Sequence, residues 1–417
     1  MCYQVQLGKR QSESTSSRES TLSTKSTGSL GSIGSTVSTP VRVLGFASPV
    51  KRTNLVKRSG SLYAALSTED KARQAVRQAF ALSSERLLGT AECAYSVRRI
   101  IGFGANGVVL GAVLHDRFPV AIKIIYKQRL HIAATPPDEI TLLKHLRGNA
   151  MSLRYVDDWQ DAHHFYLVTE LFGSDWLASS SASTSTPPLP PLVFSAARKA
   201  GLPPVTVSLP FFSGSADLWA WASAYRIHVL KVSNALHSLL PVAPVKQIIH
   251  RIAAALAALH AQGFYHADIK LENILVQSVA DKLEIRLADF GHARHASFGI
   301  SRYGTQDLTP PEFLTGCPYA PATLDGRASD VFALGLIMRV LLNETGQLPV
   351  AVFSENMNVE NLHYNDILRA DMGFYPFPAI EDLDSDAQDL MNSMCMVDPA
   401  QRLNIHQVLA HPWFYDD

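Results

Sequence analysis

Two carboxylates and an amide stand in a fixed order in the second half of the chain. Asp268 lies in His266-Ala267-Asp268-Ile269-Lys270-Leu271-Glu272-Asn273-Ile274-Leu275, and Asp289-Phe290-Gly291 follows 21 residues after it. Phosphoryl transfer asks little covalent chemistry of a protein; it asks for positioned charge. Asp268 can orient and deprotonate a hydroxyl. Asp289 and Asn273 offer the oxygen ligands that Mg²⁺ shares with substrate phosphates. Lys270 can neutralise a phosphoryl group in transit. Any one of these residues reads as readily as an ordinary loop side chain; the ordered set does not.

A second group sits earlier. Gly102-Phe103-Gly104-Ala105-Asn106-Gly107-Val108-Val109 spaces its glycines so that backbone N–H groups can approach phosphates. Alone, this pattern equally suits a dinucleotide-binding turn or a glycine-rich hairpin. The dinucleotide turn needs a following helix and an acidic residue about 20 positions on. Here a strand follows, ending in Val120-Ala121-Ile122-Lys123. A lysine at the end of an apolar strand is costly to bury without an anion. Nucleotide phosphates would serve, and Glu139 in the next helix is a candidate partner.

These residues need a scaffold. Ser67-Thr68-Glu69-Asp70 reads as a helix start, Ser67 capping, with the helix running to about Arg86. Strand patterns follow at 97–101, 108–114 and 119–125, a helix at 138–146, then strands near 155–159 and 164–169. Residues 174–214 break the pattern: 178–186 are all Ser, Ala or Thr, and prolines follow, so an inserted flexible loop is expected. Beyond it helices dominate, at 217–226, 245–262, 329–342, 385–396 and 405–409, with short strands at 274–277 and 284–287. The fold class is α+β, with a small β-rich lobe and a larger helical one.

The four motifs Gly102–Val109, Val120–Lys123, His266–Asn273 and Asp289–Gly291 resemble the signature set of eukaryotic protein kinases, in order and at normal spacing. Thr309-Pro310-Pro311-Glu312, Asp325–Gly335, Asp398–Arg402 and His411-Pro412-Trp413-Phe414 extend the resemblance over about 95–414. It implies a two-lobed kinase fold, with ATP and Mg²⁺ bound in the cleft and protein Ser/Thr hydroxyls as acceptors. By position, Lys123 would contact phosphates and pair with Glu139, and Asp268 would be the base. Asn273 and Asp289 would hold Mg²⁺. Gly102, Phe103, Gly104, Ala105, Asn106 and Gly107 would cover the phosphates. Val109, Ala121 and Leu275 would sandwich adenine, with Thr169 as gatekeeper and Glu170 to Phe172 as hinge. Glu312 would pair with Arg402. Lys270 and Thr305 match the Ser/Thr pattern. The closing HPWF is similar to that of the calcium/calmodulin-dependent kinase group, including its nutrient-sensing and PAS-kinase branch. Asp217 and Glu272 fall where basophilic members carry acidic residues that read a substrate Arg, although Asp217 equally suits a helix cap. A pseudokinase that keeps the fold without the chemistry is the rival reading.

Three departures stand out. Ala267 replaces the usual arginine, which reads an activation-loop phosphate, so Ser297, Ser301 and Tyr303 should be dispensable. Pro310 replaces an alanine outside the chemistry. The 174–214 insertion interrupts the hinge. The expected boundaries are therefore a tail over 1–62, a helical extension over 63–94, and a kinase domain over 95–414, with its N-lobe at 95–172 and its C-lobe at 215–414.

The chain has 417 residues and zero formal charge. Residues 1–60 carry nine Lys/Arg against Glu13 and Glu19, hence +7, which leaves −7 for the rest. The basic charges are dispersed among Ser and Thr, so a solvated tail is expected rather than a nucleic-acid or membrane surface. Thr39-Pro40-Val41-Arg42 and Ser48-Pro49-Val50-Lys51 resemble cyclin-dependent kinase sites, and Arg42-Val43-Leu44-Gly45-Phe46 resembles a cyclin-docking motif. Cys2, Cys93, Cys317 and Cys395 are far apart, so neither a zinc site nor a disulfide framework is expected. A reducing compartment fits, cytoplasmic or nuclear. The chain runs three residues past Phe414, so no calmodulin-binding tail is expected.

Overall fold

The computed structural model describes residues 66–88, 95–127, 135–176, 189–197, 203–212, 214–233, 240–280, 282–300, 304–305, 308–314, 317, 324–343, 380 and 383–415. The Ser/Thr-rich tail with its phosphorylation and docking motifs lies outside them, as do Ser301, Tyr303 and the 178–186 run.

The chain enters through helix α1 (Thr68–Leu82). Ser67 caps it as its Ser-x-x-Asp pattern predicts: the Ser67 hydroxyl accepts from Asp70 N and donates to the Asp70 carboxylate at 2.6 Å. The expected single helix breaks at Ser83, and a short α2 (Ser84–Leu87) follows. Five strands then form one antiparallel sheet: β1 (Tyr95–Phe103), β2 (Gly107–Leu114), β3 (Phe118–Tyr126), β4 (Tyr155–Gln160) and β5 (His164–Glu170), in the order β1-β2-β3-β5-β4. Helix α3 (Asp138–His145) lies between β3 and β4 in sequence.

Both faces of this sheet are apolar, and each has its own cover. Val108, Leu110, Val120, Ile122, Ile124 and Val168 point to one side, where Ala72, Val76, Ala79 and Phe80 of α1 seal them. Ile125, Phe165 and Leu167 on the other side join Ile140 and Leu143 of α3 in the core that continues into the helical lobe. The period-two register puts Val109, Ala121, Lys123 and Thr169 on that second face.

The insertion is not the featureless loop that its composition suggests. Strands β6 (Leu192–Ala196) and β7 (Val205–Leu209) pair antiparallel. Leu192, Ala196, Val207 and Leu209 are buried against α1 and the sheet, and Phe80 meets Phe194 edge-on at 5.1 Å. Alternating apolar residues in Val205-Thr206-Val207-Ser208-Leu209 bury one face of the hairpin. That gain outweighs the turn-forming character of the flanking Ser and Pro.

The larger lobe is built on α4 (Leu218–Ser233), α5 (Val242–Ala261), α6 (Gly326–Leu342), α7 (Ser385–Met394) and α8 (Ile405–Leu409). Helix α5 is long and apolar enough by composition to cross a membrane, but its Ile248, Ile249, Ile252, Leu256 and Leu259 are the centre of this lobe's core. Short strands carry the catalytic segments: β8 (Phe264–Tyr265), β9 (Ile274–Val279), β10 (Lys282–Leu287) and β11 (Arg294–His295). β9 pairs with β10, and β8 with β11.

Candidate active site

Asp330, fully buried in α6, sets the catalytic segment. Its two carboxylate oxygens accept from His266 N and Ala267 N, each at 2.8 Å, and His260 Nε2 lies 3.0 Å from it. These bonds hold Ala267 at φ 61°, a backbone state that L residues rarely adopt. The strain turns Asp268 toward the cleft. His266 Nε2 reaches Ala288 O at 3.0 Å and its ring lies 5.0 Å from that of Phe290, so the two segments lock together.

Around Asp268 the expected residues converge. Asn273 Nδ2 donates to Asp268 O at 2.8 Å and to Asp268 Oδ2 at 3.0 Å. Lys270 Nζ lies 3.0 Å from Asp268 Oδ2 and donates to Thr305 Oγ1 at 3.1 Å. The Thr305 hydroxyl donates to Asp268 Oδ1. A Cβ on Gly304 would stand 2.6 Å from Asp268 Cγ, so only glycine lets Thr305 come this close.

The second charge cluster joins the lobes. Lys123 Nζ donates to Glu139 Oε1 at 2.7 Å, Glu139 Oε2 at 2.8 Å and Asp289 Oδ1 at 2.7 Å. Burial alone would lower the Lys123 pKa; the two carboxylates outweigh it and raise it above the ordinary lysine value. Burial would raise Asp289, but Lys123 dominates and holds its carboxyl at about 2. Asp289 has φ 57°, another left-handed residue at a functional position.

The glycine-rich loop is a tight turn between β1 and β2. Gly104 N donates to Gly107 O at 2.9 Å, and Asn106 O accepts from Tyr126 N at 3.1 Å. A Cβ on Gly107 would lie 2.3 Å from Ile124 O, so the turn requires glycine there. Phe103, Gly104, Ala105 and Asn106 are exposed. Val109, Ala121 and Leu275 are half-buried, and Thr169 is buried with its hydroxyl 3.2 Å from Glu170 O. The Glu170 carboxylate accepts from Arg154 N at 2.9 Å, and Glu170 N donates to Arg154 O at 2.9 Å. The Phe172 ring lies under the Arg286 guanidinium at 4.6 Å.

The two expected substrate-reading residues part company. Asp217 caps α4: its oxygens accept from Ser215 Oγ at 2.6 Å and Ala220 N at 2.8 Å, while burial, opposed by these bonds, pushes its carboxyl up. Glu272 is exposed beside Asn273. Sequence reasoning passed over Arg294, whose Nη1 lies 3.3 Å from Asp138 Oδ2 on α3.

Fold and site together define a two-lobed protein kinase. Residues 226–414 match the protein kinase domain family, starting only after the insertion. The protein named "Probable serine/threonine-protein kinase KCC4" of Saccharomyces cerevisiae is 35% identical over 179 residues, covering 42% of this chain and 16% of that protein. Calcium-dependent protein kinase 24 of Oryza sativa subsp. japonica is 34% identical over 176 residues, 41% of this chain and 31% of that protein. Serine/threonine-protein kinase D3 of Mus musculus is 31% identical over 182 residues, 43% and 19% respectively. The matched stretch spans less than a third of each of these relatives. Residues 226–414 are thus similar to protein kinase domains, and the relatives named are serine/threonine or calcium-dependent protein kinases.

Proposed function

We propose that this chain transfers the γ-phosphoryl group of ATP to Ser and Thr hydroxyls of protein substrates, using Mg²⁺. The observation that carries the reading is the Lys123–Glu139–Asp289 cluster together with the Asp268–Asn273 pair, with every member of the set present.

The residues fit both groups. Among the described residues, chain neighbours aside, nothing lies within 4 Å of where a Cβ would stand on Gly102 or Gly104, which leaves room for phosphates against the turn. Asn273 spends its amide NH₂ on Asp268, leaving its oxygen for a cation beside Asp289. Among the described residues no cluster of three His, Cys, Asp or Glu exists, so Mg²⁺ would be shared with phosphate oxygens. ATP and Mg²⁺ together supply the phosphoryl donor and its charge neutralisation.

The protein's own work is positional. Asp268 accepts a hydrogen bond from the acceptor hydroxyl and takes its proton as the bond to phosphorus forms. Lys270, 3.0 Å from Asp268, stabilises charge on the moving group. Lys123, kept protonated by its carboxylates, holds the donor phosphates. The complete set speaks against the pseudokinase alternative.

Two finer features belong to this reading. Activity does not need activation-loop phosphate: Ala267 cannot bind one, and the segment is already tied down by Arg294 to Asp138, Ala296 N to Gly263 O at 2.7 Å, and the Tyr265 hydroxyl to Gly299 O. Substrates with Arg two or three residues before the acceptor are preferred, read by Glu272. Asp268→Asn and Lys123→Met test the whole reading with a purified protein and a Ser/Thr peptide mixture. Each should lower kcat by at least about a thousandfold while thermal unfolding stays cooperative. Undiminished turnover by Asp268→Asn would refute the assignment.

A further inference from the structure

The hinge insertion returns to the sheet at a consequential place. Residues 210–212 run beside β1: Ile100 N donates to Pro210 O at 2.9 Å, and Phe212 N donates to Ile100 O at 2.8 Å. Ile100 and Phe211 form a parallel bridge. β1 is the edge strand on this side, so this short segment occupies the edge that would otherwise be open. The Phe211 ring meets Phe103 edge-on at 5.8 Å, and Phe103 lies inside the Gly102–Gly107 turn. Arg99 spans Phe212 at 4.4 Å from the same strand.

One side chain of the N-terminal extension touches both ends of the β6–β7 hairpin. Arg73 of α1 donates to Pro190 O at 3.0 Å, where the hairpin begins, and its guanidinium lies 4.7 Å over the Phe211 ring, where it ends. Glu69 orients it at 2.7 Å, and its side chain is only 15% exposed. A cation over an aromatic face gains most when water is excluded. The resulting chain of contacts runs from α1 through Arg73, Phe211 and Phe103 to the phosphate-covering turn.

Resting on the kinase reading, we propose that Arg73 and Phe211 are positioning residues for the nucleotide: the extension and the insertion together hold β1 and the glycine-rich turn in the binding conformation. Backbone bonds close the turn on the β2 and β3 side, but its glycines lower steric barriers to motion, and among the described residues nothing lies within 4 Å of where a Cβ would stand on Gly102 or Gly104. Fixing it beforehand removes an ordering cost that nucleotide binding would otherwise meet.

The test uses the full chain. Binding of a non-hydrolysable ATP analogue with Mg²⁺ is titrated calorimetrically, and amide hydrogen exchange over 100–108 is followed without nucleotide. Phe211→Ala and Arg73→Gln should each weaken nucleotide binding about 3- to 10-fold, the range for an aromatic or cation–π contact. Both should speed exchange in the turn and leave the KM for peptide unchanged. Phe211→Tyr, which keeps the ring, should restore binding. Val193→Ser, on the exposed face of the hairpin, should behave as the parent. Parent-like binding and exchange in both Phe211→Ala and Arg73→Gln would overturn the proposal; should Phe211→Ala fail to fold, Arg73→Gln decides alone. A parent that binds no nucleotide would sink the kinase reading instead, and the exchange comparison would still decide this one.

Discussion

Arg294 Nη1 lies 3.3 Å from Asp138 Oδ2, joining the start of the activation segment to the first turn of α3, one residue before Glu139. On the proposed reading, this pair takes the place of a phosphate held by an arginine at position 267. Replacing Ser297, Ser301 and Tyr303 together by Ala, Ala and Phe should therefore leave kcat within about threefold, since Ala267 offers no cation to a phosphate. Phosphatase treatment should be equally harmless. A hundredfold loss with the fold intact would show that the segment depends on modification after all.

Substrate choice should follow Glu272 rather than Asp217. The Asp217 oxygens are committed to Ser215 and Ala220, whereas Glu272 is exposed beside Asn273. Peptides with Arg two or three residues before the acceptor should be favoured by about 1–3 kcal/mol, the range for a hydrogen bond to a charged partner. Glu272→Gln should erase most of that margin in a peptide library without slowing a peptide that lacks Arg. A library dominated by acidic or proline-directed sequences would rule the assignment out. Asp217→Ala should act on stability, by about 1 kcal/mol, as loss of a cap.

Glu312 and Arg402 form a two-pronged pair at 2.7 and 2.8 Å, with side chains 2% and 0% exposed. Arg402 also donates to Met396 O and Ala328 O. Removing one partner leaves a charge buried alone, so Arg402→Leu should cost about 3–5 kcal/mol in urea unfolding. The loss in the double variant with Glu312→Leu should be smaller than the sum of the two single losses. Additive losses would mean that the pair is not coupled.

Cys395 offers a pH test. Burial, only partly opposed by Arg402 and Arg339, pushes its thiol up to about 12. An unfolded thiol ionises near 8.5. Below that pH both states keep the proton; above it the unfolded chain loses its proton first. The stability from this group is thus full below about pH 8.5 and declines as pH rises toward 12, by about 1.4 kcal/mol per unit. Cys395→Ala should flatten the fall in unfolding free energy between pH 8.5 and 10 by that slope. An identical slope in both proteins would place the ionisation elsewhere.

The candidate site was legible because its residues sit in short rigid segments. Lys123, Glu139 and Asp289 form one bonded group and Asp268 and Asn273 another, each residue carried by a strand end, a turn or the first turn of α3. The Ser67 cap and the start of α3 were visible for the same reason. What escaped depends on distant burial. Strands β6 and β7 exist because α1 and the sheet offer apolar surface to Leu192, Val207 and Leu209, whereas the neighbouring run of Ser, Thr and Pro dominates the local pattern. The role of Asp217 turned on Ser215 and Ala220 closing around it, and the spacing of its neighbours fits a cap and a substrate contact equally well.

The buried hairpin also bears on how the protein is made. The core of the small lobe draws on residues 72–80, on strands ending at Glu170, and on Leu192 to Leu209. On a ribosome, a nascent chain that has emerged only to Phe172 would show the apolar side of α1 and β1 without its last cover. The small lobe therefore completes itself late, after a long excursion of chain has been closed, and contacts of such sequence separation form slowly. Until then its bare β1 edge is the place where a newly made molecule is most exposed to pairing with another.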